Sequence, residues 1–247
     1  MRRQVIITMK YIIMCGGNYQ QWESPRQLLE VNNEKIVERT IRLLRENGIE
    51  DIAISSNDSI FEGFGVPVLT HFNSFTVTKL RGAKGYWVDG FHKTDEPVCY
   101  LFGDVIYSPE AIKTIVETET DSVEFFASSP PFNQEYMKHH AEPFAFKVTD
   151  MKYFWDCVET VKVMADRNEF YRHPIAWELW QVIKNTPVND IDYTNYTAIN
   201  DYTCDIDAKD DLEKFNSLVD IAAKDEQWAK EHKKGFLYFL KKNLSTK

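Results

Sequence analysis

Short apolar runs that end on glycine, aspartate or serine recur along this chain, separated by stretches with helical spacing. The first, K-Y-I-I-M-C at residues 10 to 15, closes on Gly16 and Gly17 and reads as a buried strand entering a loop. From Asn33 to Gly48 the pattern sets Ile36, Val37, Thr40, Ile41 and Leu44 on one helical face, with a glycine placed to cap the C-terminus. I-E-D-I-A-I-S-S-N-D then predicts a second strand. Strand, loop, helix, strand implies a right-handed β-α-β unit, and therefore a parallel sheet whose ligands sit at the carboxyl ends of its strands.

The alternation continues. V-P-V-L-T-H predicts a strand, residues around 79 to 90 a polar helix, and P-V-C-Y-L-F-G-D-V-I-Y-S an apolar strand ending at Gly103 and Asp104. A helix opens at Pro109, and S-V-E-F-F-A-S-S is another strand. Further on, E-P-F-A-F-K-V-T-D is strand-like, residues 151 to 186 are mostly helical with many aromatics, and C-D-I-D-A-K-D-D-L-E-K-F passes from a short extended piece into one or two helices. No repeat, low-complexity tract or Pro/Gly/Ser linker interrupts the chain, so residues 9 to 247 are expected to form one domain. Residues 1 to 8 read as an N-terminal extension, because Met9 opens a strand-like run of its own.

Charge narrows the partners. With 29 Lys and Arg against 38 Asp and Glu, the chain carries a formal net charge of −9, which argues against a general nucleic-acid surface while leaving room for a local basic pocket around one phosphorylated ligand. Cys15, Cys99, Cys157 and Cys204 lie far apart without C-x-x-C spacing, which points away from a zinc ribbon or redox pair and towards reduced thiols in a cytoplasmic protein. No apolar run reaches the ~18 residues of a membrane-spanning helix, so no membrane partner is expected. The basic, aromatic end K-K-G-F-L-Y-F-L-K-K reads as a helix packed on the domain or on a second subunit, which is compatible with a homodimer.

Three constellations carry chemistry. The first is C-G-G-N-Y-Q-Q-W-E-S-P-R-Q-L-L-E-V-N-N-E-K from Cys15 to Lys35, where glycines let backbone N–H groups approach phosphates and the Arg26 guanidinium can grip them bidentately. The second is Y-L-F-G-D-V-I-Y-S-P-E, in which a strand delivers Asp104 to the sheet edge; a turn aspartate is the plain alternative. The third is C-D-I-D-A-K-D-D-L-E-K-F, where Asp207 reads equally as the N-cap of the last helix, with Asp210 in its first turn.

Together these segments resemble the nucleotidyltransferases of the nucleotide-diphospho-sugar transferase (GT-A-like) fold, including sugar-phosphate nucleotidyltransferases and choline-phosphate cytidylyltransferases. The resemblance covers roughly residues 10 to 130 and 200 to 216. It implies a single-domain three-layer α/β/α sandwich around a mixed, mainly parallel sheet, with a nucleotide-binding half over 9 to 130, an acceptor-binding half over 131 to 200, and a metal-binding aspartate segment with C-terminal helices over 201 to 247. It further implies nucleotide contacts from Cys15, Gly16, Gly17, Asn18, Tyr19 and Arg26, and from Gly82, Lys84 and Gly85, whose turn could equally be an exposed helix entry. Arg26 and Asp104 become the catalytic pair. Mg²⁺ is expected on Asp104 and Asp207, with Asp205 as the close alternative, since Mg²⁺ favours one or two carboxylates plus phosphate oxygens. Tyr19 stands where the family usually carries a second glycine and Gln21 where it usually carries Arg, so either another Lys or Arg substitutes near the outer phosphates or triphosphate binding is weak, and Tyr19 is free to stack on a base.

Trp177 and Glu178 resemble a Trp-acidic helix of the choline-phosphate enzymes, which would let aromatic faces hold a quaternary ammonium, although aromatics at helical spacing are more often core. His139 and His140 are adjacent and do not share a face, so they read as a solvated loop. The implied reaction is attack of an acceptor phosphate oxygen on the α-phosphorus of a nucleoside triphosphate, with CMP or UMP the favoured transferred group. The rivals are a glycosyltransferase of the same fold, which usually shows Asp-x-Asp where this chain reads G-D-V-I, and a non-catalytic nucleotide-binding protein. A dinucleotide-dependent oxidoreductase is disfavoured because C-G-G-N-Y-Q-Q-W does not fit G-x-G-x-x-G.

Overall fold

The structure is a computed structural model that describes residues 9–16, 24–71, 86–130, 140–207 and 209–244. Its strands are β1 (Lys10–Met14), β2 (Glu30–Val31), β3 (Glu34–Lys35), β4 (Ile52–Ser55), β5 (Val68–Leu69), β6 (Val98–Phe102), β7 (Val105–Ile106), β8 (Val123–Ser128), β9 (Pro143–Val148), β10 (Thr197–Ile199) and β11 (Cys204–Asp205). The helices are α1 (Ile36–Glu46), α2 (Pro109–Glu117), α3 (Met151–Asp166), α4 (Ala176–Lys184), α5 (Lys209–Leu218) and α6 (Ile221–Leu244). No described helix is long and apolar enough to cross a membrane.

Seven strands form one sheet in the order β10-β8-β9-β6-β1-β4-β5. β1 runs parallel to β4 and β6, β4 to β5, and β8 to β10, whereas β9 is antiparallel to both of its neighbours. The mixed, mainly parallel α/β sheet is the expected class. Because β9 is buried between β6 and β8, the apolar run F-A-F has both faces covered and reads as continuous, which is how a central strand hides its direction from a sequence reader.

Helices cover both faces. Tyr100, Phe125 and Phe146 share one face through their cross-strand pairing, and Phe154 of α3 and Trp177 of α4 pack edge or face against them. On the opposite face, next to Cys99, Lys147 is 6% exposed and donates from Nζ to the carbonyls of Ile115, Val116 and Thr118. These are the last carbonyls of α2, so one ammonium satisfies three orphan acceptors at the negative end of that helix. Burial lowers the pKa of the Lys147 ammonium and pushes the Cys99 thiol up to about 12. α1 packs on α2, which completes this layer.

Local chemistry sets the boundaries. Asn32 and Asn33, both at positive φ, form the turn of the β2–β3 hairpin. The α1 face named from the sequence is buried at Ile36, Val37, Thr40, Ile41 and Leu44, and Gly48 follows the helix at φ +78°. Ser108 caps α2 by accepting from Ala111 N–H. One expectation fails in its described part: residues 86 to 90 form no regular α-helix, only a short 3-10 turn at Trp87–Gly90, while 79 to 85 lie outside the described residues. Trp87 and Phe91 pack into the sheet's aromatic face there, which sets the turn. Residues 1 to 8 also lie outside the described residues. All four cysteines are buried thiols outside any disulfide.

Two tests follow from the packing. Replacing Lys147 with Met keeps an unbranched apolar stem but abandons three carbonyls; we expect a loss of about 2–3 kcal/mol in urea unfolding at unchanged slope. Gly103→Ala would place a Cβ 2.5 Å from the Met14 carbonyl oxygen and 2.9 Å from Cys15 Sγ. Since backbone cannot yield cheaply, the expected cost is about 2 kcal/mol or more, read as a lower melting temperature.

Candidate active site

The carboxyl ends of the parallel strands converge where the sequence placed its chemistry. β1 ends in Cys15 and Gly16, β4 in Ser55 and Ser56, and β6 in Gly103 and Asp104. Gly103 N–H donates to Met14 O at 3.0 Å, and the absence of a side chain lets β6 pass this close to β1 and to Gln27.

Asp104 is followed at once by β7, which pairs antiparallel with β11: Cys204 faces Ile106 and Asp205 faces Val105. The ladder continues one step further, with Ile206 N–H donating to Asp104 O at 3.1 Å. This pairing fetches the C-terminal aspartates to Asp104. Thr203, whose hydroxyl accepts from Ser108 N–H, and Asp201, which accepts from Ser108 Oγ, pin the incoming segment to the start of α2.

Arg26 lies on a 3-10 turn (Arg26–Leu28) and reaches the same point. Its Nη2 is 2.7 Å from Asp104 Oδ2, and its Nη1 is 2.8 Å from Asp207 Oδ1 and 2.9 Å from Ile206 O. One guanidinium therefore bridges the two carboxylates that the sequence assigned to a metal, a geometry suited to a planar fork. The Asp207 side chain turns to Arg26, while its backbone N–H donates to Asp211 in the first turn of α5.

The acidic groups crowd. Burial pushes the Asp104 carboxyl up, and Arg26 pulls against it. Asp205 is raised well above the usual carboxylate range, first by burial, then by Glu142, Asp207 and Asp104, with Arg26 opposing. Burial acts against the charge on Arg26, but Asp104, Asp207 and Asp205 outweigh it and hold the guanidinium above its usual range. A hard divalent cation fits this donor set, because Asp104, Asp205 and Asp207 offer carboxylate oxygens and Arg26 demonstrates that a single positive group spans Asp104 and Asp207.

Several residues here were not singled out as site residues by the sequence reading. His140 is exposed as expected, yet one of its ring nitrogens and one oxygen each of Asp205 and Asp207 lie within 4.8 Å of one another. Glu142, 3% exposed, adds its field to Asp205, and its backbone is locked to β8 by Glu142 N to Ser128 Oγ at 2.9 Å and Ser128 N to Glu142 O at 2.9 Å. At the glycine end, the His71 ring would sit 2.9 Å from a Cβ at Gly16, and its Nδ1 is 3.0 Å from Ser55 Oγ. Gln27, 2% exposed beside Gly103, has no hydrogen-bond partner for Oε1 among the described residues.

Trp177 and Glu178 are placed differently from the expectation. Trp177 is 2% exposed, packs against Phe125, Tyr193 and Tyr196, and donates from Nε1 to Ala141 O at 3.2 Å. Glu178 is buried as the capping residue of α4, accepting from Ile175 N–H at 2.9 Å and from Arg172 Nε at 2.5 Å. Apolar burial and capping claim both side chains, so neither offers a free face to an acceptor. Through Ala141 the indole supports the strand entry between His140 and Glu142. Gly17, Asn18, Tyr19, Gln21, Gly82, Lys84, Gly85 and His139 lie outside the described residues.

The sequence matches no protein-family model and no curated protein. Solved structures do match. A structure assigned as a glucose-1-phosphate thymidylyltransferase from Bacillus anthracis is 18% identical over 85% of this chain and 94% of its own, with a TM-score of 0.52. The inositol-1-phosphate CTP transferase from T. maritima is 13% identical over 87% and 96%, with a TM-score of 0.50. With a parallel sheet interrupted by one antiparallel strand and an acidic cluster at its carboxyl edge, this chain has the fold of those nucleotidyltransferases.

Proposed function

We propose that this protein is a metal-dependent nucleotidyltransferase. It moves a nucleoside monophosphate, with CMP or UMP favoured, from a nucleoside triphosphate to a phosphorylated small molecule such as a sugar phosphate or choline phosphate, and releases pyrophosphate. The observation that carries this reading is the meeting of Asp104, Asp205 and Asp207 with Arg26, from segments far apart in sequence, at the carboxyl edge of this fold.

The chemistry needs positioning and charge more than a protein nucleophile. An acceptor phosphate oxygen, already anionic near neutral pH, attacks the α-phosphorus; the bond from α-phosphorus to the bridging oxygen breaks, and the electron pair leaves on pyrophosphate. Mg²⁺ held by Asp104 and Asp207, with Asp205 beside them, would neutralise charge on the triphosphate. Arg26 offsets the charge that grows on the phosphates: a triphosphate is a stronger anionic partner than the carboxylates it now bridges, and the fork can bind phosphate bidentately. The Cys15 and Cys99 thiols are not nucleophiles, since burial raises both far from the thiolate form.

The test is pyrophosphate release from CTP, UTP, GTP, ATP and dTTP with Mg²⁺ and a panel of phosphorylated metabolites. One pair is expected to turn over, and Asp104→Ala, Asp207→Ala and Arg26→Ala should each lower kcat/KM by about 10²-fold or more. Unchanged turnover in the aspartate variants would sink the assignment. Transfer from a nucleotide-sugar without any triphosphate would make it a glycosyltransferase, and triphosphate binding with no turnover a binding protein. Crowding gives a second readout. Asp205→Asn removes a desolvated charge that faces Glu142, Asp207 and Asp104, so the substrate-free protein should be stabilised by about 1 kcal/mol in thermal melts.

A further inference from the structure

The side chains around Asp207 divide into two groups. On one side stands Arg26, which occupies Asp104 Oδ2 and Asp207 Oδ1. On the other stand His140 and Asp205, whose ligand atoms and an oxygen of Asp207 fall within 4.8 Å of one another. Ligands about 2.1 Å from an octahedral ion are separated by roughly 3.0 Å when cis and 4.2 Å when trans, so this cluster needs only a small contraction to enclose an ion.

Two further observations favour a cation there. The first is charge: Asp104 and Asp207 share one guanidinium, Arg26, and the β7–β11 ladder sets a third carboxylate, Asp205, beside Asp207. Among the described residues no donor hydrogen-bonds the Asp205 carboxylate. The second is rigidity. Asp205 is fixed by the β7–β11 ladder, and His140 directly precedes Ala141 and Glu142, whose backbones are tied to Trp177 and Ser128. The two groups therefore arrive from separately anchored segments.

We propose that in the substrate-free protein His140, Asp205 and Asp207 form a divalent-cation site that selects a first-row transition ion over Mg²⁺, while Arg26 keeps Asp104 until a triphosphate draws the guanidinium away and opens the Asp104–Asp207 pair. An imidazole nitrogen suits Mn²⁺, Fe²⁺, Co²⁺ or Zn²⁺, whereas Mg²⁺ demands oxygen ligands and keeps its waters, so His140 supplies the discrimination. The site deepens the proposed transferase reading, on which its role in turnover rests, and differs from a carboxylate-only pair in both ligand set and metal preference.

The experiment is metal binding to the substrate-free protein. Mn²⁺ is titrated while free Mn²⁺ is followed by electron paramagnetic resonance, and Mg²⁺ is then used as competitor. Mn²⁺ is expected to bind at least tenfold more tightly than Mg²⁺, and the bound ion to show spin-echo modulation from a coordinated imidazole nitrogen. His140→Ala, at an exposed position, should abolish the modulation and weaken Mn²⁺ at least tenfold while leaving Mg²⁺ within threefold. Asp205→Asn should weaken Mn²⁺, and Asp104→Asn should leave it within threefold. Equal affinities for the two ions, no nitrogen modulation, or an Asp104→Asn loss matching that of Asp205→Asn would each overturn the site. Because no substrate is present, these results are independent of pyrophosphate release: Mn²⁺ selectivity without any turnover would keep the site and remove the transferase reading. Turnover with Mg²⁺ and Mn²⁺ bound alike would do the reverse.

Discussion

Two strands of two residues each decide where the acidic side chains lie. Without the β7–β11 pairing, Asp104 would end a strand at the sheet edge and Asp205 and Asp207 would belong to a tail about a hundred positions later. The ladder brings them together at the cost of placing like charges in a partly desolvated corner, which Arg26 relieves only in part. Everything proposed for function depends on that concentration of negative charge. A site built this way stores a standing demand for positive charge, and phosphate chemistry supplies cations together with its substrate.

The sequence made the nucleotide half legible because its signals are local. An apolar run closing on glycine, and a face of Ile36, Val37, Thr40, Ile41 and Leu44 followed by Gly48, each act within a few residues. The convergence of Asp104 with Asp207 was legible only through resemblance, since no periodicity reports a contact between residues 104 and 207. Trp177 and Glu178 show the limit of pattern: helical spacing of aromatics fits a ligand cage and a core equally, and packing against Phe125 decided between them.

Glu142 carries no local signal, and His140 reads as loop, for a different reason. Parallel strands bring their last residues to the carboxyl edge, so a reader looks just after each apolar run. β9 runs the other way and brings the residues just before it. Nothing in F-A-F-K-V marks that reversal, because a strand buried on both faces loses the alternation that could distinguish it. Two adjacent histidines that share no face predict a solvated loop, and the place of His140 just before β9 is what puts it beside Asp205 and Asp207.

The reversed strand also imposes an order on assembly. β6 and β8 are both made before β9, and in the finished sheet they touch only through it. Until residues 143 to 148 emerge from the ribosome, the nascent chain holds two apolar strands with open edges facing a vacant slot. Such edges are the usual templates for mispairing with other chains. The strand that delivers His140 and Glu142 is therefore also the wedge that closes the sheet during synthesis.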